Sequence, residues 1–252
     1  YELALSTKMV EVVQKHKLEV LHVHYAIPHA YAAFMAKQML KEKGVSVRVV
    51  TTLHGTDITL VGSHPTYKTA VEFSINNSDV VTAVSNNLKD TTNKLFNIHK
   101  KIQVVYNFID VEKYAKVEGE ECKRGALAKK DERILTHISN FRPVKRVEDV
   151  IKVFYEVQKE VPAKLLMIGE GPDRKKAEIL TKKLGITNKV FFLGNSTEID
   201  KILCYSDIFL LPSETESFGL AALEAMAAKT AVISTNTGGL PEVNLDGETG
   251  FL

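Results

Sequence analysis

Short apolar runs alternate with longer amphipathic stretches along this chain, the pattern of βα units feeding a parallel sheet. In the first part the runs predict strands near 20–24, 47–53, 80–84 and 102–106. Helices over 30–43, 66–77 and 86–96 join them, with Ser85 as N-cap of the last. In the second part strands are expected near 134–138, 164–168, 190–193, 208–211 and 231–234, with helices over 147–160, 173–184, 197–205 and 218–228. Between the two sets, Val111 to Glu132 is rich in Lys and Glu, carries Gly119 and Gly125 and has no sustained apolar face. A hinge there predicts an α/β protein of two doubly wound domains, residues 1–118 and 119–252, facing each other across a cleft. The chain enters inside a helical pattern, Leu3 to Lys17, and stops after Gly250-Phe-Leu252 within a strand pattern, so both domains are expected to be incomplete.

Candidate chemistry gathers at predicted strand ends. The run Ile208 to Leu211 reads as a short buried strand closed by Pro212, which puts Glu216 on the loop at its carboxyl end, where open α/β sheets bind ligands. Residues 218–220 are expected to open a helix whose unpaired N–H groups and positive dipole end suit a phosphate, with Gly219 permitting close approach. Glu224 follows Glu216 with seven residues between them. Taken alone, Glu216 is a helix cap and Glu224 a solvated surface acid. The loop Ser139-Asn-Phe-Arg-Pro-Val-Lys-Arg146 delivers three cations just after another strand. They are either a solvated face or a site for a diphosphate, and Lys145 is the first candidate for stabilising charge on a leaving group. His54 directly follows a strand, and Asp57 is read as a cap for the next segment. His22 and His24 share one strand face, and with His29 and His54 they raise a metal reading. No cysteine or carboxylate at ligand spacing completes that set, so burial with satisfied hydrogen bonds is the preferred reading, and no metal is expected. Gly169-Glu-Gly-Pro172 and Thr237-Gly-Gly-Leu-Pro-Glu242 suit either tight βα turns or close approach of a ligand. Ala221, Ala222, Ala225 and Met226 are read as core packing of the 218–228 helix.

Composition narrows the classes. A chain of 252 residues, 44% hydrophobic, is long enough for one large or two ordinary cores. Its 33 basic and 31 acidic residues are interspersed with a net charge of +2, which argues against a nucleic-acid partner. Cys122 and Cys204 match no metal spacing and are read as buried or inert thiols in a reducing, cytoplasmic setting. No stretch of about 18 apolar residues exists, and the first residues show no signal-peptide pattern, so membrane insertion is not expected.

Glu216 to Glu224 resembles the E-x7-E motif of the retaining GT-B glycosyltransferases of family 4, whose fold is two Rossmann-like domains. The resemblance extends through Leu21-His-Val-His-Tyr-Ala-Ile-Pro-His29, Leu53-His-Gly-Thr-Asp57, Val80-Val-Thr-Ala-Val-Ser85, Val105-Tyr-Asn-Phe-Ile-Asp110 and Ile138-Ser-Asn-Phe-Arg142. Together these are similar to a bacillithiol-pathway subfamily that joins N-acetylglucosamine to L-malate. The resemblance implies UDP-N-acetylglucosamine and L-malate as substrates, no cofactor and no metal, with a homo-oligomer possible. It places Glu224 on the ribose hydroxyls and Glu216 beside the transferred sugar. Phe218, Gly219 and Leu220 would lie at the sugar and diphosphate, and His54 at the sugar's 6-hydroxyl. Many relatives carry arginine where this chain has Asn140, and whether Arg142 or Arg146 compensates is left open. Tyr25 and Thr52 are candidates for the acceptor, because their hydroxyls can donate to a carboxylate. The cation for malate would come from Lys68 or from sequence before Tyr1, or the acceptor differs, and a related GT-B transferase with another acceptor is the alternative. Retention is compatible with a covalent glycosyl intermediate or with same-face departure and attack, and the resemblance favours the latter. A nucleotide-sugar sensor without turnover is the reading from another class, and Glu216, Lys145 and His54 together speak against it.

Overall fold

The computed structural model describes residues 1–62, 64–114 and 123–252 and divides into two units, Tyr1–Asn107 and Phe108–Leu252. The first unit runs α1 (Glu2–His16), β1 (Val20–His24), α2 (Tyr31–Glu42), β2 (Arg48–Leu53), α3 (Pro65–Asn76), β3 (Val80–Ala83), α4 (Asn86–Leu95) and β4 (Ile102–Val104). All pairings are parallel, in the order β1-β2-β3-β4. Leu21 and Val23 point into a core with Val10 and Val13 of α1 and Ala33, Ala36 and Leu40 of α2, the alanines letting the helix lie close to its neighbours. Ser85 caps α4 as expected, its Oγ accepting from the Leu88 N–H at 3.0 Å. Pro65 opens α3 at a position that has no N–H to lose, and His64 Nδ1 accepts from the Thr66 N–H at 3.3 Å.

Two expectations need correcting in this unit. His22 and His24 are exposed, not buried: β1 alternates, and the face opposite Leu21 and Val23 is uncovered. Asp57 is not the cap of the following segment, whose N-cap is Gly55 without a side-chain cap bond; its carboxylate accepts from the N–H groups of His54 and Gly55 just before it and from that of Ala26, 31 residues earlier, at 2.7 Å.

The second unit runs α5 (Val111–Tyr114), β5 (Arg133–Ile138), α6 (Val147–Glu160), β6 (Ala163–Ile168), α7 (Arg174–Lys183), β7 (Val190–Gly194), α8 (Ile199–Cys204), β8 (Ile208–Leu211), α9 (Leu220–Ala227), β9 (Ala231–Ser234) and β10 (Gly250–Phe251). Its parallel sheet has the order β10-β9-β8-β5-β6-β7. Neighbouring strand residues point to opposite cores. Leu135 and Met167 pack with Phe154 and Ile151 of α6, whereas Ile134 and Leu166 pack with Ile202 of α8. The sheet is covered on both faces, which makes it doubly wound. Ala222 and Ala225 of α9 are buried against Phe209 and Leu211, with Ala221 and Met226 partly buried beside them, as core packing requires.

By their internal packing the units divide at Asn107/Phe108, and Tyr114 packs into the second unit's core with Ala222 and Leu240, whereas the expected boundary at 118/119 lies outside the described residues. Part of the expected hinge is likewise tied down: the Arg124 guanidinium donates to the carbonyls of Tyr205 and Glu132 and pairs with Asp207. Gly119 and Cys122 lie outside the described residues. Cys204, half-buried at the end of α8, is not the free thiol expected. Among the described residues no helix is long and apolar enough to cross a membrane.

Candidate active site

The second sheet reverses direction between β5 and β8: from β5 the chain proceeds to β6 and β7 on one side, then returns to β8 and β9 on the other. Such a switch point opens a crevice at the carboxyl ends of the strands. Lys145 follows β5 and Glu216 follows β8, and their side chains meet there, Nζ to Oε1 at 2.5 Å, with 19% and 12% of the side chains exposed. Ser213 Oγ donates to the same Glu216 oxygen at 2.8 Å, and the Glu214 N–H donates to the Val144 carbonyl at 2.8 Å, so backbone as well as charge joins the two loops. Arg146 does not share this place. Its guanidinium pairs with Asp149 on the first turn of α6, while Arg142 and Asn140 are exposed on the loop.

The helix after Glu216 begins later than expected. Gly219 sits at φ +96, outside helical geometry, and serves as N-cap of α9, so Leu220 is the first helical residue and buried Phe218 lies in the loop before it. Glu224, one turn into α9, is half-buried, and its Oε1 accepts from the Tyr114 hydroxyl at 3.0 Å. Burial pushes the Glu224 carboxyl above the usual range, against the pull of the Tyr114 hydrogen bond and the Lys113 charge. Tyr114 is pushed up to about 12 by burial and by the carboxylate it faces. Phenylalanine at 114 removes this donor and frees Glu224 to rotate. If Glu224 holds the nucleotide, KM for the donor is expected to rise about tenfold, the worth of one ordinary hydrogen bond, with kcat little changed. Steady-state kinetics on the complete protein checks this.

Both glycine clusters turn out to seat these loops. A Cβ on Gly169 would strike the Ser139 carbonyl and one on Gly171 the Asn140 carbonyl. A Cβ on Gly238 would strike the Glu216 carbonyl and one on Gly239 that of Ser217. The Gly239 N–H donates to the Glu216 carbonyl at 2.7 Å.

Beneath the Lys145 loop lies His137, fully buried in β5. Burial pushes its pKa down to about 4, the Leu210 carbonyl pulling upward and the Lys145 charge adding to the depression. An unfolded chain binds a proton at this residue below about 6.5, whereas the folded ring resists until about 4. Its contribution is therefore fully present above 6.5 and is lost as pH falls toward 4. Urea denaturation is expected to show about 2 kcal/mol less stability at pH 5 than at pH 8 from this ring alone.

The first unit contributes a separate group at the carboxyl ends of β1 and β2. His54 Nε2 lies 2.7 Å from His24 Nδ1, so one of these rings donates to the other. His24 and His54 are both held below the usual histidine range, chiefly by partial desolvation and then by neighbouring histidines. His29 Nδ1 donates to the His24 carbonyl at 2.6 Å. Tyr25 is 37% exposed at φ +77 and lies 5.1 Å from the His54 ring, centroid to centroid. Thr52 is buried within the sheet, its Oγ1 2.8 Å from both His22 Nε2 and Thr82 Oγ1. Lys68 is exposed on α3. Glu72, also on α3, accepts from the Asn97 N–H at 2.9 Å. Among the described residues no group of three or more His, Cys, Asp or Glu side chains is arranged to hold a metal.

Sequence reasoning missed His137, Tyr114 and Ser213. Only Ser213 left a signal, the S-x-x-E spacing to Glu216.

The chain matches the family described as Glycosyl transferases group 1 over residues 119–252 and that described as Glycosyltransferase Family 4 over residues 1–113. It is 50% identical over 252 residues to the N-acetyl-alpha-D-glucosaminyl L-malate synthase of Bacillus anthracis, with 100% of this chain and 65% of that protein covered. It is 29% identical over 248 residues to an uncharacterised glycosyltransferase of Methanocaldococcus jannaschii, covering 94% of this chain and 62% of that protein. The chain thus spans less than two thirds of these relatives' lengths. Among solved structures, Anabaena HepE in complex with UDP and glucose superposes with a TM-score of 0.83 at 20% identity, covering 98% of this chain and 66% of that one. Sucrose-phosphate synthase of Thermosynechococcus elongatus does so with a TM-score of 0.80 at 20% identity, covering 98% and 64%. At these identities the likeness is one of fold.

Proposed function

We propose, on the premise that the chain belongs to the family 4 glycosyltransferases of GT-B fold, that the complete protein moves N-acetylglucosamine from UDP-N-acetylglucosamine to the hydroxyl of L-malate with retention of configuration. The reaction class rests on the Lys145–Glu216 pair at the switch point of the second sheet. The choice of substrates follows the Bacillus anthracis relative.

In this reading the bond between the sugar's anomeric carbon and the β-phosphate oxygen breaks as the malate hydroxyl oxygen attacks from the same face. The hydroxyl proton passes to a phosphate oxygen of the departing UDP. Negative charge grows on the β-phosphate during this step, so a fixed ammonium at Lys145 and the N–H groups at the start of α9 stabilise the transition state more than the bound donor. These groups supply the positive charge, and the reading needs no metal and no cofactor beyond the substrates. Glu216 accepts from hydroxyls of the transferred sugar and keeps Lys145 in place, and Glu224 accepts from the ribose hydroxyls. Asn140 and the backbone of Phe218, Gly219 and Leu220 line the diphosphate and sugar. His54 meets the sugar's 6-hydroxyl, with Tyr25 and Thr52 on the acceptor side. The enzyme works in the cytoplasm.

Incubating the complete protein with UDP-N-acetylglucosamine and L-malate is expected to release UDP and form one glycoside, identified by mass spectrometry and by the anomeric coupling in its NMR spectrum. Tight donor binding without UDP release, for malate or any other hydroxy acid, would leave a sensor in place of a transferase.

A further inference from the structure

A single imidazole joins the two strand ends that carry Lys145 and Glu216. His137 Nδ1 lies 2.8 Å from the carbonyl of Leu210 in β8, and its Nε2 lies 2.8 Å from Ser139 Oγ. A carbonyl oxygen can only accept, so Nδ1 carries the proton. In the neutral ring Nε2 then accepts, and the Ser139 hydroxyl must donate to it. Ser139 Oγ accepts in turn from the Phe141 N–H at 3.2 Å. Every bond in the chain Phe141–Ser139–His137–Leu210 therefore has a determined direction.

The network holds a backbone that would not hold itself. Phe141 is a bulky residue at φ +40, in the left-handed region that is costly for a non-glycine residue. Its ring is fully buried and stacks on His137, 6.1 Å between centroids at an interplanar angle of 24°. The conformation turns the chain out of β5 so that, four residues on, Lys145 reaches Glu216. At the other end, Leu210 lies three residues before Ser213, the hydroxyl donor to Glu216.

We propose that His137 is a positioning residue for sugar transfer: acting through Ser139 and Phe141, it sets the placement of Lys145 relative to Glu216 without touching substrate. This rests on the transferase reading above. Catalysis by a fixed charge depends on placement to a fraction of an ångström, and a misplacement near 1 Å can cost about 10²-fold. Replacing Ser139 by alanine in the complete protein breaks the middle link while leaving the imidazole packed. We expect kcat to fall about ten- to a hundredfold with a smaller change in KM, and the Phe141 amide to lose protection from hydrogen exchange. Ser139→Thr, which keeps the hydroxyl, restores kcat. Nitrogen-15 NMR of the wild type is expected to show His137 neutral with the proton on Nδ1 at pH 7.

A purely structural role would lower the melting temperature and leave kcat per folded molecule unchanged; that result, or a proton found on Nε2, overturns the proposal. Should the complete wild-type protein transfer no sugar, the proposed function fails separately. The tautomer and the exchange at Phe141 then still decide whether the network exists, and UDP titration of Ser139→Ala, expected to show about tenfold weaker binding, decides whether it positions the site.

Discussion

Replacing Lys145 by alanine in the complete protein is expected to lower kcat by about 10²- to 10³-fold, the usual effect of removing one preorganised donor from a developing negative charge. The ammonium sits on the loop joining β5 to α6, seated from below by the glycines of the β6 exit and from the side by the backbone bond between Glu214 and Val144. It is therefore held in position before the donor arrives, and its worth lies in not having to reorganise during bond breaking. In the proposed reading KM for the nucleotide sugar is expected to change less than kcat, because the ground-state diphosphate would keep the helix start and the other loop contacts. Single-turnover measurement of UDP release separates chemistry from product departure. Lys145→Arg retains charge but not the compact geometry that meets Glu216, and is expected to recover only part of the rate. If alanine leaves single-turnover release at the wild-type rate, Lys145 has no part in stabilising the leaving group.

Asp57→Ala is expected to destabilise the first unit by about 3 to 5 kcal/mol, a large share of the stability of an ordinary domain. The carboxylate is 3% exposed and accepts three backbone N–H groups: Ala26 at 2.7 Å, Gly55 at 3.0 Å and His54 at 3.3 Å. Burial pushes its pKa up, and the three donors push back. Alanine removes all three hydrogen bonds at once and leaves the N–H groups of Ala26 and Gly55 in buried positions. The turns after β1 and β2 then lose their link, and with it the support for Tyr25 at φ +77. Asparagine keeps one oxygen but aims N–H groups at an N–H donor, so about 2 kcal/mol of loss is expected from it. Urea denaturation followed by circular dichroism, with hydrogen exchange at the Ala26 amide, reads both variants. A shift below about 1 kcal/mol for alanine would mean that water replaces the carboxylate.

Both parallel sheets were legible from periodicity because each strand is a short apolar run and each helix a longer amphipathic one. The same pattern located Glu216, Lys145 and His54 at strand ends. What periodicity could not show was which strands are neighbours. Lys145 and Glu216 are 71 residues apart, and they meet only because β5 and β8 pair at the point where the sheet order reverses. Tyr114 and Glu224, 110 residues apart, left no local trace for the same reason. His22 and His24 read as core because they sit in a strand, but in β1 every second residue is exposed. The start of α9 was misjudged because glycine in a helical pattern does not announce whether it is inside the helix or, as here at φ +96, its cap.

The two loops of the second unit rest on glycines that touch backbone atoms, not side chains. A seat of that kind is indifferent to what the loop residues carry. The side chains at 140 and 142 can be exchanged while the main-chain path through Lys145 and Glu216 stays in register. For redesign of donor preference this divides the region in two: a chassis of four glycines that tolerates no Cβ, and a set of interchangeable tips mounted on it.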